Sequence, residues 1–213
     1  MYVPQHNRMQ DRAQLLAFMR QYSFATLVTC AGGSPRATHL PFVAEEGEGG
    51  SLRLVAHMAR ANPHWRDFNS DGAGEVLVIF QGPHAYVSPS HYQRHPSVPT
   101  WNYAAVHAAG SLRLLEGRED KLAALRGLIG ANDPDFLASM AGLPAEYLQQ
   151  KLAGIVAFGI AVTRLEARWK LSQDRLPEER SSIIEFLSAA GGASAEVAAM
   201  MQQCETRDSG VAT

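Results

Sequence analysis

Hydrophobic and polar positions alternate through LRLVAHMA, placing Leu52, Leu54, Ala56 and Met58 on one face and Arg53, Val55 and His57 on the other. A period of two predicts a half-buried strand. The period changes in the residues that follow: in NPHWRDF, Asn62 reads as an N-cap and Pro63 as the first residue of a short helix. Upstream, SFATLVTC is an apolar, β-branched run, AGGSP has turn chemistry and RATHLPFV resumes as an extended segment, so the three predict a hairpin. Pro41 cannot donate to a ladder, which predicts an edge, a bulge or a place where something other than a strand lies alongside.

Elsewhere the pattern alternates between the two periods. Leu15, Leu16, Phe18 and Met19 are spaced for an amphipathic helix from Asp11 to Gln21, with Asp11 near its N-cap. EEGEGG reads as a loop, VLVIFQGPHAYVSPSHY as two strands broken at Gly82 and Pro83, and QRHPSVPT as an irregular loop. WNYAAVHAAGSLRLLE is long for a strand and carries Gly110 inside it, as a strand that bends or bulges often does. Helical spacing returns from Arg118 to Gly130 and in DPDFLASM and PAEYLQQKLA; GIVAFGIAVTRLEARWKL is again a strand, with Gly159 inside it. Two helices follow Pro177, around IIEFL and EVAAMM, before a tail, TRDSGVAT. Strands joined largely by hairpins, with helices inserted late, predict a mainly β, closed antiparallel barrel with peripheral helices. The expected division is a barrel domain over 1–175 that includes inserted helices at 118–152, a helical extension over 176–205, and a flexible tail over 206–213.

Composition narrows the partners. Of 213 residues, 46% are hydrophobic and 19% charged, an ordinary globular balance. A formal net charge of −2 argues against a surface that grips DNA by charge alone. Cys30 and Cys204 have neither metal-site nor disulfide spacing and read as free thiols. The N-terminus lacks a signal-peptide pattern and no apolar run is long enough to span a bilayer, so a soluble cytoplasmic protein with no membrane contact is expected.

No G-x-S-x-G, P-loop or G-x-G-x-x-G occurs, so nucleophilic hydrolysis, Walker-type chemistry and a Rossmann cofactor site lack an anchor. The close histidine pairs, His57 with His64 and His91 with His95, read as solvated or hydrogen-bonded side chains rather than metal ligands. Four clusters carry more: HMARANPHW, PTWNYAAVHAAG, the His39-Leu40-Pro41 step and RWKLSQ. They combine rings for stacking, amides for fixed hydrogen bonds and cations suited to a phosphate. The strand-to-helix junction at Arg60 adds unpaired N–H groups that favour an anion. Such a mixture suits a ligand with a flat heteroaromatic head and an anionic tail, flavin mononucleotide (FMN) among others.

These strings carry a resemblance. From the opening MYVP through HMARANPHW, VLVIFQGPHAYVSPSHY, VPTWNYAAVHAAG and WKLSQ, the sequence resembles the PaiB-type family of FMN-binding proteins, often labelled negative transcriptional regulators. The family looks like a branch of the FMN-binding split β-barrels related to pyridoxamine phosphate oxidases, which implies a homodimer with flavin at its interface. By that resemblance, Arg60 and the backbone after Met58 face the FMN phosphate, with His57 and Asn62 fixing the turn. Thr38, His39 and Pro41 lie along the isoalloxazine edge, and Trp169, Lys170, Ser172 and Gln173 sit where related barrels close over the cofactor. Trp101, Asn102 and Tyr103 contribute from the partner subunit. Two further functions stay open beside regulation: a flavin-dependent oxidoreductase of a small molecule, and a haem-binding barrel with His57, His64 or His107 as axial ligand.

Overall fold

The computed structural model describes residues 1–69 and 74–208. Seven strands form one sheet in the order β2-β1-β5-β6-β7-β4-β3: β1 Phe24–Ala31, β2 Ser34–Pro41, β3 Val43–Glu46, β4 Leu52–Ala59, β5 Val76–Val87, β6 Thr100–Leu115 and β7 Ile155–Lys170. β2 and β3 stand at the two ends of that order, and the pairs β1–β2, β1–β5, β3–β4 and β4–β7 are all antiparallel. Among the described residues six α-helices accompany it: α1 Arg12–Gln21, α2 Arg118–Asn132, α3 Pro134–Ser139, α4 Ala145–Ala153, α5 Pro177–Ala190 and α6 Gly192–Asp208. α6 runs to Asp208, so 206–208 of the expected tail are helical, and 209–213 lie outside the described residues.

The chain falls into two compact units: Arg12–Phe80 with His107–Leu165, and Met1–Asp11 with Gln81–Val106 and Glu166–Thr213. In the first unit, β1 and β2 form the expected hairpin around Gly32 and Gly33, whose positive φ values of 58° and 78° suit glycine. Thr26 pairs with His39 and Leu27 with Thr38 in that register. Leu27 is fully buried and Phe24 exposed, which separates an inner face carrying Leu27, Thr29, Thr38 and Leu40 from an outer face carrying Phe24, Thr26, His39 and Pro41. Pro41 sits on an edge strand, where its missing N–H leaves no ladder bond unmade. Phe42 packs edge-on against Phe80 and Phe158, and Phe68 against Phe158. Val55, Ala124 and Ala157 form a second buried cluster that brings α2 onto β4, and this is why Val55 is buried on the face the alternation assigned to solvent.

Two elements differ from the sequence reading. Residues 76–87 are one strand, not two: β1 pairs with β5 only at Leu77–Ile79, so Pro83 lies beyond that paired stretch and interrupts none of its bonds. Glu45 and Glu46 belong to β3, so the acidic loop shortens to a 3₁₀ turn at Glu48–Gly50. NPHWRDF forms the expected short helix, as a 3₁₀ helix over Pro63–Asn69. Gly110 has a packing reason: a Cβ there would lie 2.2 Å from the carbonyl oxygen of Ala161 on β7.

In the second unit, α5 and α6 pack through Ile183, Leu187, Val197 and Met201, all buried. Glu179 of α5 is also buried, and its Oε1 accepts the main-chain N–H groups of Gln93 (2.8 Å) and Arg94 (3.2 Å), tying down the proline-punctuated loop.

Candidate functional site

The site is built outward from the end of β4. Ala59 pairs with Ile155, the first residue of β7, so Arg60 emerges beside the end of α4. Its main-chain N–H donates to Gly154 O at 2.8 Å, its Nε to Ala153 O at 3.0 Å and its Nη2 to Ile155 O at 3.3 Å. The Arg60 carbonyl accepts from Trp65 Nε1 at 3.0 Å, and the guanidinium lies 5.8 Å from the Trp65 ring centroid. Arg60 is exposed and holds the turn by clamping the two chain ends that meet there. Met58 is buried in the core, leaving its backbone as the part that reaches the turn. His57 is half-buried; among the described residues its Nδ1 has no hydrogen-bond partner, and burial holds its pKa below the ordinary 6.5.

The 3₁₀ helix delivers a fully buried imidazole, His64, onto the inner face of the hairpin. His64 Nε2 lies 2.8 Å from Thr29 Oγ1 and Nδ1 lies 2.7 Å from Thr38 Oγ1. Asn62 closes the arrangement: its Oδ1 accepts from the His64 main-chain N–H at 3.0 Å, and its Nδ2 donates to Thr38 Oγ1 at 3.4 Å. Asn62 is therefore the cap the sequence predicted, with a second bond that reaches the sheet. Burial lowers the pKa of His64, opposed by Asp67 and reinforced by Arg36, two residues that pair with each other at 3.3 Å. Burial thus favours the neutral imidazole.

Thr38 and His39 do not share a surface. Thr38 is half-buried on the inner face, whereas His39 is exposed on the outer one, its Nδ1 2.9 Å from Thr26 Oγ1 and its ring stacked on Phe24. Pro41, two residues on, shares the face of His39.

The remaining candidates lie in the second unit. Asn102 is fully buried and exchanges two hydrogen bonds with Ser172, Nδ2 to Oγ at 2.9 Å and Oγ to Oδ1 at 3.1 Å. Ser172 adopts a positive φ of 59°, unusual for a residue with a side chain and held here by that pair. Gln173 accepts from Leu171 N at 2.8 Å and donates to the Trp169 carbonyl, and Trp169 is buried. Lys170 donates to Thr100 Oγ1 and to the Trp101 carbonyl at 2.7 Å; burial first, then Arg168, lowers its pKa. Tyr103 is half-buried with the Arg168 guanidinium 5.5 Å from its ring. Trp101 stands apart: it is 53% exposed, its indole ringed by His84 and Tyr86 at 5.9 and 5.8 Å.

The structure thus joins Thr38 with Asn62 through His64, which the sequence offered only as a hydrogen-bonded side chain or a haem ligand and not among the FMN residues, and gives Thr29 a part it was not assigned. The signal was present in HMARANPHW, but a buried histidine cannot be told from an exposed one in a short 3₁₀ segment with no clear period.

The family described as "Putative FMN-binding domain" matches residues 1–164. "Protease synthase and sporulation protein PAI 2" of Bacillus subtilis is 38% identical over 192 residues, covering 88% of this chain and 89% of that one. Among solved structures, the flavocytochrome Anf3 from Azotobacter vinelandii superposes with a TM-score of 0.61 at 14% identity, over 79% of this chain and 72% of that one. An FAD and haem binding protein from Mycobacterium smegmatis does so at 0.60 and 19% identity, over 87% and 80%. These two likenesses show the fold. Among the described residues no helix is long and apolar enough to cross a membrane. On the match over residues 1–164 and the extended identity to PAI 2, the chain belongs to the PaiB-type family of FMN-binding split barrels.

Proposed function

We propose that the protein is a homodimeric FMN-binding split barrel that lowers gene expression indirectly, through a metabolite or a protein partner rather than by gripping DNA. The family match over residues 1–164 carries the cofactor. The donor set supports it: a guanidinium at Arg60, a hydroxyl at Thr38, an amide at Asn62 and a buried, unpartnered Nδ1 at His57 all belong to one unit. That set suits an anionic tail and a heteroaromatic ring. Trp101 of the partner subunit, exposed and flanked by rings, supplies a stacking surface. Bound flavin would supply reversible one- or two-electron chemistry. The residues here bind and orient it, with Arg60 toward the phosphate and His64 fixing Thr38. The net charge of −2 supports an indirect route to regulation.

The test is the absorption spectrum and mass of the small molecule released from purified protein, with the oligomeric state measured on the same sample. FMN released from a dimer is the expected result; a monomer with no affinity for FMN refutes the reading. Absence of any gel shift at low salt is expected if regulation is indirect. A second reading, a flavin-dependent oxidoreductase, is favoured by the two solved structures whose names carry flavin or haem cofactors. Loss of flavin absorbance on mixing with a reduced nicotinamide, followed by turnover, would select it. A haem-type spectrum on reconstitution would instead select a haem barrel, with the unpartnered Nδ1 of His57 as its ligand.

A further inference from the structure

The polarity of the hydrogen bonds around His64 follows from one donor that cannot be reversed. The main-chain N–H of His64 donates to Asn62 Oδ1 at 3.0 Å, and this fixes the amide. Asn62 Nδ2 is then the atom turned to Thr38 Oγ1, and it can only donate, so one lone pair of Thr38 is taken. From the other side, Thr29 is buried, and among the described residues its hydroxyl has a single partner, His64 Nε2 at 2.8 Å. A buried hydroxyl proton without an acceptor leaves its desolvation uncompensated, so Thr29 donates and Nε2 accepts. The ring proton therefore sits on Nδ1, which donates to Thr38 Oγ1 at 2.7 Å. Both lone pairs of Thr38 are now occupied, and only its proton is left for a group outside the network.

We infer that Thr29, His64 and Asn62 are positioning residues that convert the half-buried Thr38 hydroxyl into an obligatory hydrogen-bond donor, selecting a ligand that presents an acceptor at that point. The polarity stands on the network alone; that the ligand is FMN rests on the function proposed above, and its carbonyl oxygens, ring nitrogens and phosphate oxygens are acceptors of the required kind. With its lone pairs used, Thr38 has no acceptor to offer a ligand N–H.

The experiment reads the tautomer directly. On the ¹⁵N-labelled full chain, well above the ordinary imidazole titration range, the His64 spectrum is expected to show a protonated Nδ1 and a bare Nε2. The reverse tautomer overturns the inference, because Thr29 would then be an acceptor. Thr29→Val removes the anchor and is expected to give mixed tautomers, and Thr29→Ser to restore one; an unchanged tautomer in Thr29→Val also overturns it. Titration with FMN adds the second readout. Thr38→Ser should bind as the wild type, and Thr38→Val roughly 3- to 10-fold more weakly; equal binding by Thr38→Val removes the donor role. A wild-type chain that binds no FMN refutes the cofactor reading, while the tautomer still decides the polarity without any substitution.

Discussion

Arg60→Ala separates two roles of one side chain. In the folded protein its Nε and Nη2 donate to the carbonyls of Ala153 and Ile155, at 3.0 and 3.3 Å. Both bonds are solvent-exposed, so together they contribute about 1 kcal/mol rather than the larger values of buried charged bonds. For a chain of this size that lowers Tm by about 2–4 °C. A charge-assisted contact to a phosphate would add a different loss, about 1.5–3 kcal/mol of binding, or roughly 10- to 150-fold in Kd. The first effect is read from thermal unfolding without ligand, the second from FMN titration by flavin fluorescence at a temperature where the variant is fully folded. Arg60→Lys keeps the charge and loses the planar fork, so it should recover part of the affinity and little of the clamp. A drop in Tm with unchanged FMN affinity would refute the phosphate assignment and leave Arg60 as a clamp between the end of α4 and the start of β7.

Other substitutions test the framework around the site. Gly110→Ala places a Cβ 2.2 Å from Ala161 O, and urea unfolding should show a loss of about 2 kcal/mol or more, since backbone must move to relieve it. Ser172→Ala leaves the buried Asn102 amide short of a partner, a loss of about 1–3 kcal/mol; Ser172→Gly should lose less, because glycine relieves the positive φ of 59°. His57 and His64 both have pKa values lowered from 6.5 by burial, so the unfolded chain binds more protons than the folded one below that pH. Stability is then full above pH 6.5 and is lost as pH falls through that value toward the folded pKa values; His64→Gln should flatten the slope measured by denaturant midpoints, and an unchanged slope would show that His64 is not held neutral.

Much of the frame is readable from alternation because a strand with one buried face carries its burial in its sequence: Leu52, Leu54, Ala56 and Met58 are all buried in β4. The same signal failed at Val55, whose burial depends on α2 lying over β4, a long-range contact with no local mark. Gly82 and Pro83 look like a break because their local chemistry is that of a turn, whereas β5, placed between β1 and β6 in the sheet, continues through them to Val87. The site divides in the same way. Asn62 and Arg60 were legible, since a cap and a cation at a strand-to-helix turn are defined by neighbours in sequence. His64 was not, because its partners Thr29 and Thr38 come from 35 and 26 residues away and only the hairpin register brings them to one face. Likewise, Thr38 and His39 are adjacent in sequence and on opposite faces of β2.

Charge placement bears on the regulatory reading more strongly than net charge does. Direct binding to DNA draws on uncompensated cations aligned on one surface, and each phosphate neutralised steepens the salt dependence. Several arginines here are already compensated within the chain: Arg12 by Glu46, Arg36 by Asp67, Arg53 by Glu45 and Arg118 by Glu119. Arg180 is buried, donating to the carbonyls of Leu171 and Met201, and Arg60 donates to those of Ala153 and Ile155. With 19 basic against 21 acidic residues, the chain carries no net positive charge to draw it to a duplex backbone. Under the function proposed above, control of gene expression would run through a ligand or protein partner, and the turn after β4, where Arg60 ties the end of α4 to the start of β7, is where we propose that a ligand acts on the fold.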